Sequence, residues 1–438
     1  MKRVRKIILL LGDQVGRSEL RFHLLRRLWP VLQWTARIYR TRVIRNVKIV
    51  VIIGSLGKTT TTNAVRCALG LRQNSDFTSN AWSSLALKML KIKPSQKFEV
   101  IEVGIGSAGQ MEKYARLIRP DIVVVTAIAS EHTGLIGSIE NIRHEKSMML
   151  KILKRDNLVV FNGDDKEILL MLGVTPARKI SYGFDPRAKI CCVASELNWP
   201  EGMRVQIRGE NRMLEFQSKI FSEHMIYPLL ASVAVAGELR LKSEKVVSRL
   251  EKFRSPSGRM NVIQLGNGAF LIRDDYKATF ESIGPALGFL RKVPAKRKIV
   301  VLGDSIEMPK PWQSACRKIG EEIAAFAAFA FFIGQMEPEY AAGARDAGMN
   351  PENIFLSGNN WKSAFRQLPP DLGPGDVILV KALSFQRIQR FSLALLGQQI
   401  ECDRNWCQVK SVRCENCAWR NEAGNTFYAQ KTIIWEPA

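Results

Sequence analysis

The sequence predicts an α/β protein: a parallel sheet with helices on both faces and a glycine loop, then a smaller dinucleotide-fold-like α/β domain and a cysteine-bearing tail. Three observations carry this. Val47–Ile53 is a β-branched run interrupted only by Lys48, as in a strand buried on both faces. It leads into Gly54-Ser55-Leu56-Gly57-Lys58 and then a helical stretch at Thr59–Leu71. Strand-like segments at Phe98–Val103, Ile122–Thr126 and Leu158–Asn162 alternate with helical ones, the pattern of a parallel sheet.

The other elements follow from periodicity. Residues 18–40 read as a helix in which Leu25, Leu28, Trp29, Leu32, Ala36 and Tyr39 share a face, with Arg26, Arg27 and Arg37 off it. Trp34 and Ile38 break that segregation, and Pro30 should kink or divide the helix. The segment fits a helix lying on a membrane surface and equally a helix packed on the next domain. Cys191-Cys192 reads as strand packing, Arg204–Phe221 as a small antiparallel addition, and Ser222–Leu241 as a helix. Ser255-Pro256-Ser257-Gly258 is rich in turn residues and marks a hinge. New strands are expected at Ala269–Asp274, Lys298–Leu302, Ala328–Ile333 and Asp376–Val380. The divisions are a basic leader at 1–46, a loop-bearing domain at 47–257, a second domain at 258–400 and a tail at 401–438.

The 438 residues carry a formal net charge of +24, which favours anionic partners. Residues 1–48 hold thirteen Lys and Arg against Asp13 and Glu19. Peripheral contact with an anionic membrane is one expectation from this. Nucleic acid is disfavoured, because the aromatic–basic interleaving of single-strand binders is missing. No segment has the 18 apolar residues of a membrane span, and Ile7–Leu11 is too short for a signal-peptide core. A cytoplasmic chain is expected, and its eight cysteines then read as thiols or metal ligands.

Glycines let backbone N–H groups approach phosphate oxygens, and a helix N-terminus favours negative charge. Gly54, Gly57, Lys58, Thr59 and Thr60 therefore form a candidate ATP site. Lys58 would reach the β- and γ-phosphates, and Thr59 or Thr60 would ligate Mg²⁺. The spacing is shorter than the common phosphate loop, which would need glycine at Ile52.

The run Gly54-Ser55-Leu56-Gly57-Lys58-Thr59-Thr60-Thr61 resembles the nucleotide loop of the Mur ligases and the related folylpolyglutamate synthetases. Further motifs follow in that family's order: Ile101-Glu102-Val103-Gly104, Gly109-Gln110-Met111, Ile118-Arg119-Pro120-Asp121, Glu131-His132, Gly137-Ser138, Glu145-Lys146 and Asn162-Gly163-Asp164-Asp165. Gly258-Arg259-Met260, Asp274–Thr279, Val301–Glu307 and Asp376–Lys381 resemble its C-terminal domain. The resemblance implies a P-loop central domain with a Rossmann-like C-terminal domain. It also implies ATP-dependent joining of a carboxylate to an amine through an acyl phosphate, on a peptidoglycan precursor or related cell-envelope substrate. By it, Glu102 and His132 serve Mg²⁺, Lys146 becomes carbamylated, Arg259 contacts nucleotide phosphates, Asp275 holds the ribose and Lys277 approaches the acyl phosphate.

Three departures bear on substrate. The leader at 1–46 is too short to be the folded domain with which family members grip a uridine-diphosphate sugar. Ser222–Pro228 lacks the family's adenine-side asparagine. Lys381 continues into Ala382-Leu383-Ser384-Phe385 instead of Gly-Ser-Arg. Poly-glutamate-type ligation and a catalytically weak scaffold subunit at the membrane are the alternatives. In the tail, Cys402, Cys407, Cys414 and Cys417 are spaced so that four thiolates could hold a structural Zn²⁺.

Overall fold

The computed structural model describes residues 17, 24, 25, 27–73, 82–130, 133–209, 212–402, 407 and 412–421. Two compact units meet at Pro256/Ser257 in the sequence, within the turn-rich stretch expected to be a hinge.

The first unit holds an eight-stranded sheet: β1 (Lys48–Ile53), β2 (Phe98–Glu102), β3 (Ile122–Val125), β4 (Leu158–Asn162), β5 (Arg178–Gly183), β6 (Ile190–Asn198), β7 (Gly202–Arg208) and β8 (Met213–Ser218). Their order is β2-β1-β3-β4-β5-β6-β7-β8. The pairings from β2 through β6 are parallel, and β6–β8 form the antiparallel addition. That addition begins earlier than the alternating pattern suggested, because Cys191 and Cys192 already lie in β6. In β1 successive side chains point to opposite faces. Ile49, Val51 and Ile53 enter one core cluster, while Val50 and Ile52 are equally buried. This two-sided burial is why Ile49–Ile53 is continuously apolar.

A helix at Trp29–Arg42 packs on the same unit. Pro30 sits in its first turn, where a missing N–H costs nothing. Leu24, Leu25 and Arg27 are also helical, and Leu28 N–H donates to Leu24 O while Leu32 N–H donates to Leu28 O, so the helical path runs on through the turn at Leu28. Arg40 fixes it in place. Its buried guanidinium donates to the carbonyls of Ile44, Val47, Ile118 and Arg119 and to the Asp121 carboxylate.

The second unit has six strands: β9 (Asn261–Gln264), β10 (Phe270–Asp274), β11 (Arg297–Leu302), β12 (Phe329–Phe332), β13 (Ile354–Leu356) and β14 (Asp376–Lys381). The order is β13-β12-β11-β14-β10-β9, all parallel except the β9 edge. Thr279 and Ser282 form a capping box at the start of the helix Phe280–Lys292. Ile400 and Cys414 join this unit's core. Residues 412–421 thus pack as part of it.

Candidate active site

In the first sheet β1 lies between β2 and β3; the connection from β1 leads to β2 on one side, and that from its neighbour β3 leads to β4 on the other. The end of such a central strand is where open α/β sheets place ligands, and Gly54–Lys58 occupies it. Gly54 has φ 146°, and a Cβ there would lie 2.1 Å from Thr126 Oγ1 and 2.9 Å from the Ala127 carbonyl. Gly57, at φ 77°, leads into the helix Lys58–Ala68. Both positions need glycine for reasons of space or handedness.

The loop is braced through its carbonyls. Lys58 Nζ donates to Ser55 O at 2.7 Å, and Lys146 Nζ to Gly54 O at 3.0 Å. Thr126 Oγ1 donates to Leu56 O at 2.6 Å, and Ser55 Oγ to Ala129 O. Lys58, Thr59, Thr60 and Lys146 are all buried, Lys146 to 1% exposure. The loop and the helix Ile139–Lys151 thus bring Lys58 and Lys146 to one place from positions far apart in sequence.

Glu102 ends β2, opposite Ile52 of β1, and is half-buried. His132 lies outside the described residues. The buried Glu145 carboxylate accepts from the Gly109 and Met111 N–H groups, capping the helix Gln110–Ile118. Asp165 accepts from Ile128 N, Glu167 N and Ile168 N; burial raises its pKa despite those donors. Sequence reasoning left Thr126 and Glu145 without a role. Their signal was weak, a threonine after a strand and an acid beside a motif lysine. Where the adenine-side asparagine is missing, Tyr227 donates to Asp164 at 2.9 Å, and its ring meets those of Phe184 and Tyr182 edge-on.

In the second unit the functional motifs gather at the ends of β10, β11 and β14. Lys381 Nζ forms a buried ion pair with Asp274 and donates to Lys277 O at 3.2 Å. Asp275 is fully buried, held by Arg273, which also pairs with Glu415 of the tail. Arg259 lies 4.5 Å from the centre of the Tyr276 ring, and Arg413 lies 5.0 Å from it, within cation–π range. The Arg259 Nε is buried without a hydrogen-bond partner among the described residues. Lys277 is half-buried. Asp304, after β11, accepts from Met336 N and Gln386 Nε2, yet burial pushes its pKa up to about 6.

The zinc expectation finds no support among the described residues. All four tail cysteines are free thiols, with Cys402 and Cys414 buried. Cys414 packs into the core, while Cys407 and Cys417 pack against Trp419. The four are neighbours: burial and then the other three thiols raise the pKa of Cys417. Even so, among the described residues no three ligating side chains converge on a point that could hold a metal. A structural zinc needs a closed set of four. Mg²⁺ sets a different standard, since it takes one or two protein ligands beside phosphates and water.

Comparison with known proteins extends this geometry. The Mur ligase middle domain matches residues 52–236, and the Mur ligase glutamate ligase domain matches residues 258–383. The chain belongs to the Mur ligase family. It is 25% identical over 352 residues to a UDP-N-acetylmuramoyl-tripeptide–D-alanyl-D-alanine ligase of Synechocystis, covering 77% of this chain and 72% of that one. It is 25% identical to the Bacillus subtilis ligase of the same name over 63% of this chain, spanning only 60% of that relative. Among solved structures, MurF from Acinetobacter baumannii superposes with a TM-score of 0.73 at 20% identity, over 84% of this chain and 80% of that one. Folylpolyglutamate synthase of Mycobacterium tuberculosis gives 0.63 at 14%, over 88% of this chain and 100% of that one.

Proposed function

We propose that this protein is an ATP-dependent ligase joining a carboxylate to an amine on a peptidoglycan precursor or a related cell-envelope intermediate. The observation that supports it best is the Gly54–Thr60 loop, which places two buried lysines at one helix N-terminus beyond a central strand. That setting suits a polyphosphate.

A free carboxylate is a poor electrophile. Its oxygen attacks the γ-phosphorus of ATP, the bond to ADP breaks, and an acyl phosphate forms. The amine nitrogen then attacks the acyl carbon, the carbon–oxygen bond breaks, phosphate departs and the ammonium proton passes to solvent. The protein supplies positioning and charge neutralisation. In this reading Lys58 contacts the β- and γ-phosphates. Thr59 or Thr60, with Glu102 and His132, serves Mg²⁺, which when bound neutralises phosphate charge. Lys146 reacts with CO₂ to give a carbamate and a proton; its nitrogen keeps one N–H for the Gly54 carbonyl. Arg259 meets nucleotide phosphates and Lys277 the acyl phosphate. A ribose contact by Asp275 requires the Arg273 pair to open.

The named relatives supply the leading substrate pair, a uridine-diphosphate muramoyl tripeptide and D-alanyl-D-alanine. One observation favours a different amine, as in poly-glutamate-type ligation: Ala382 and Leu383, beyond the Lys381 strand end, are buried apolar residues. Phosphate release should be measured with muropeptide, D-alanyl-D-alanine and glutamate acceptor pairs. Lys58→Ala should lower acceptor-dependent release roughly 10²–10³-fold with circular dichroism unchanged. If the unmodified protein neither binds nor hydrolyses Mg-ATP with any pair, the ligase reading gives way to a scaffold one.

A further inference from the structure

The helix Trp29–Arg42 has more apolar surface than its packing uses. Trp29 and Ala36 are buried, and Leu32 and Tyr39 lie against the same core. Tyr39 also donates to Ile92 O at 2.7 Å. The helix is therefore held without help from its opposite face. On that face Leu24, Leu28, Val31, Trp34 and Ile38 recur every three or four residues, the spacing of one helical stripe. Leu28 is 51% exposed, Val31 60% and Trp34 64%. Single exposed apolar residues are ordinary; five in one stripe are not.

The flanks define the partner. Arg27, Arg37 and Arg42 are exposed beside the stripe, and Arg45 follows in the turn after it. No acid lies between Trp29 and Arg42. Asp121, which meets the helix at Arg40, is also paired with Lys48. A second protein surface or a second copy of this chain, itself strongly basic, would have to bring its own acids to four arginines. The surface of an anionic bilayer supplies both requirements: acyl chains for the leucines and tryptophan, phosphates for the guanidiniums.

We propose that the outward face of this helix docks the protein on anionic membrane lipid. One face of the helix is structural and the other is the docking surface, so Trp29 and Trp34, five residues apart, have different tasks. Apolar burial and electrostatic attraction together set the affinity of such helices. The docking is independent of the ligase chemistry, and phosphate release reads that chemistry separately.

The test uses the full chain with vesicles of phosphatidylcholine alone or mixed with phosphatidylglycerol. The unmodified protein should sediment with the mixed vesicles, and less so as salt shortens the screening length. Brominated acyl chains should quench its fluorescence more than that of Trp34→Phe. Val31→Asp with Trp34→Asp and Ile38→Asp should bind at least tenfold more weakly, with an unchanged melting temperature because these side chains are exposed. Arg37→Glu with Arg42→Glu should lose most of the salt-sensitive part. Equal binding by the apolar variant, or no vesicle binding by the unmodified chain, overturns the proposal. So does a concentration-dependent dimer that the apolar variant abolishes.

Discussion

The loop after β1 and the charged corner after β10 both hold polar groups at the end of a parallel sheet, but from different materials. The loop works through backbone: the carbonyls of Gly54, Ser55 and Leu56 accept from Lys146, Lys58 and Thr126. The corner works through side chains: Asp274 with Lys381, and Arg273 between Asp275 and Glu415. A backbone site tolerates no added atom but is mostly encoded in one short run. A side-chain site tolerates local change, but depends on residues far along the chain; Arg273 and Glu415 are 142 positions apart.

The sharpest way to break this comparison is Gly54→Ala. The new methyl would overlap Thr126 Oγ1 and the Ala127 carbonyl. Mg-ATP binding by calorimetry should be lost, with a lowered melting temperature. Near-normal binding would mean the loop is looser than its geometry.

Next in size is Lys381→Met, which leaves the Asp274 carboxylate buried and uncompensated. Losing one partner of a buried pair costs about 3–5 kcal/mol, read as a lower urea midpoint. Adding Asp274→Leu should recover part of that, since well-packed apolar groups often replace such a pair without loss. A double variant as unstable as the single one would show that packing, not charge, is at stake.

The smallest effects are two opposite responses to pH within the second unit. Burial raises Asp304 to about 6, so the folded state holds its proton more tightly than the unfolded chain. Its contribution is fully present below the ordinary value of 3.8 and is lost as pH rises from there through about 6, worth roughly 3 kcal/mol. Asp304→Asn should flatten the urea midpoint between about pH 4 and 6. For Glu415 burial acts upward, but Arg413 and Arg273 together outweigh it and the pKa falls below 4.5. Its contribution is present above that value and is lost as pH falls through the lowered one. Glu415→Gln should weaken the unit at pH 7 and reduce its acid sensitivity. The same pH slope from both variants would contradict the assigned causes.

Most of the fold was legible because burial writes itself into short runs. The strands at 48–53, 98–102, 122–125 and 158–162 were expected within a residue or so of where they stand, since parallel strands buried on both faces are mostly apolar. The short strands β9 and β13 were not expected; four or three residues carry too little pattern. The helix at Trp29–Arg42 was read as having one apolar face broken by Trp34 and Ile38. The structure shows two faces, and those residues belong to the second. The tail cysteines show the limit of spacing: it suggested a ligand set, but spacing along a chain does not determine where thiols point, and among the described residues no group of three ligating side chains stands ready for a metal.

The sequence by itself determined the order of strands and helices, the glycine loop and the family motifs, because each is a pattern in neighbouring residues. Only the tertiary structure decided that Lys146 reaches the Gly54 carbonyl, that Arg273 holds Asp275 with help from the tail, and that Val31, Trp34 and Ile38 face outward. Each of these depends on which distant surface a side chain meets. That is settled by packing and by the cost of leaving a buried charge without a partner, and local sequence does not record it.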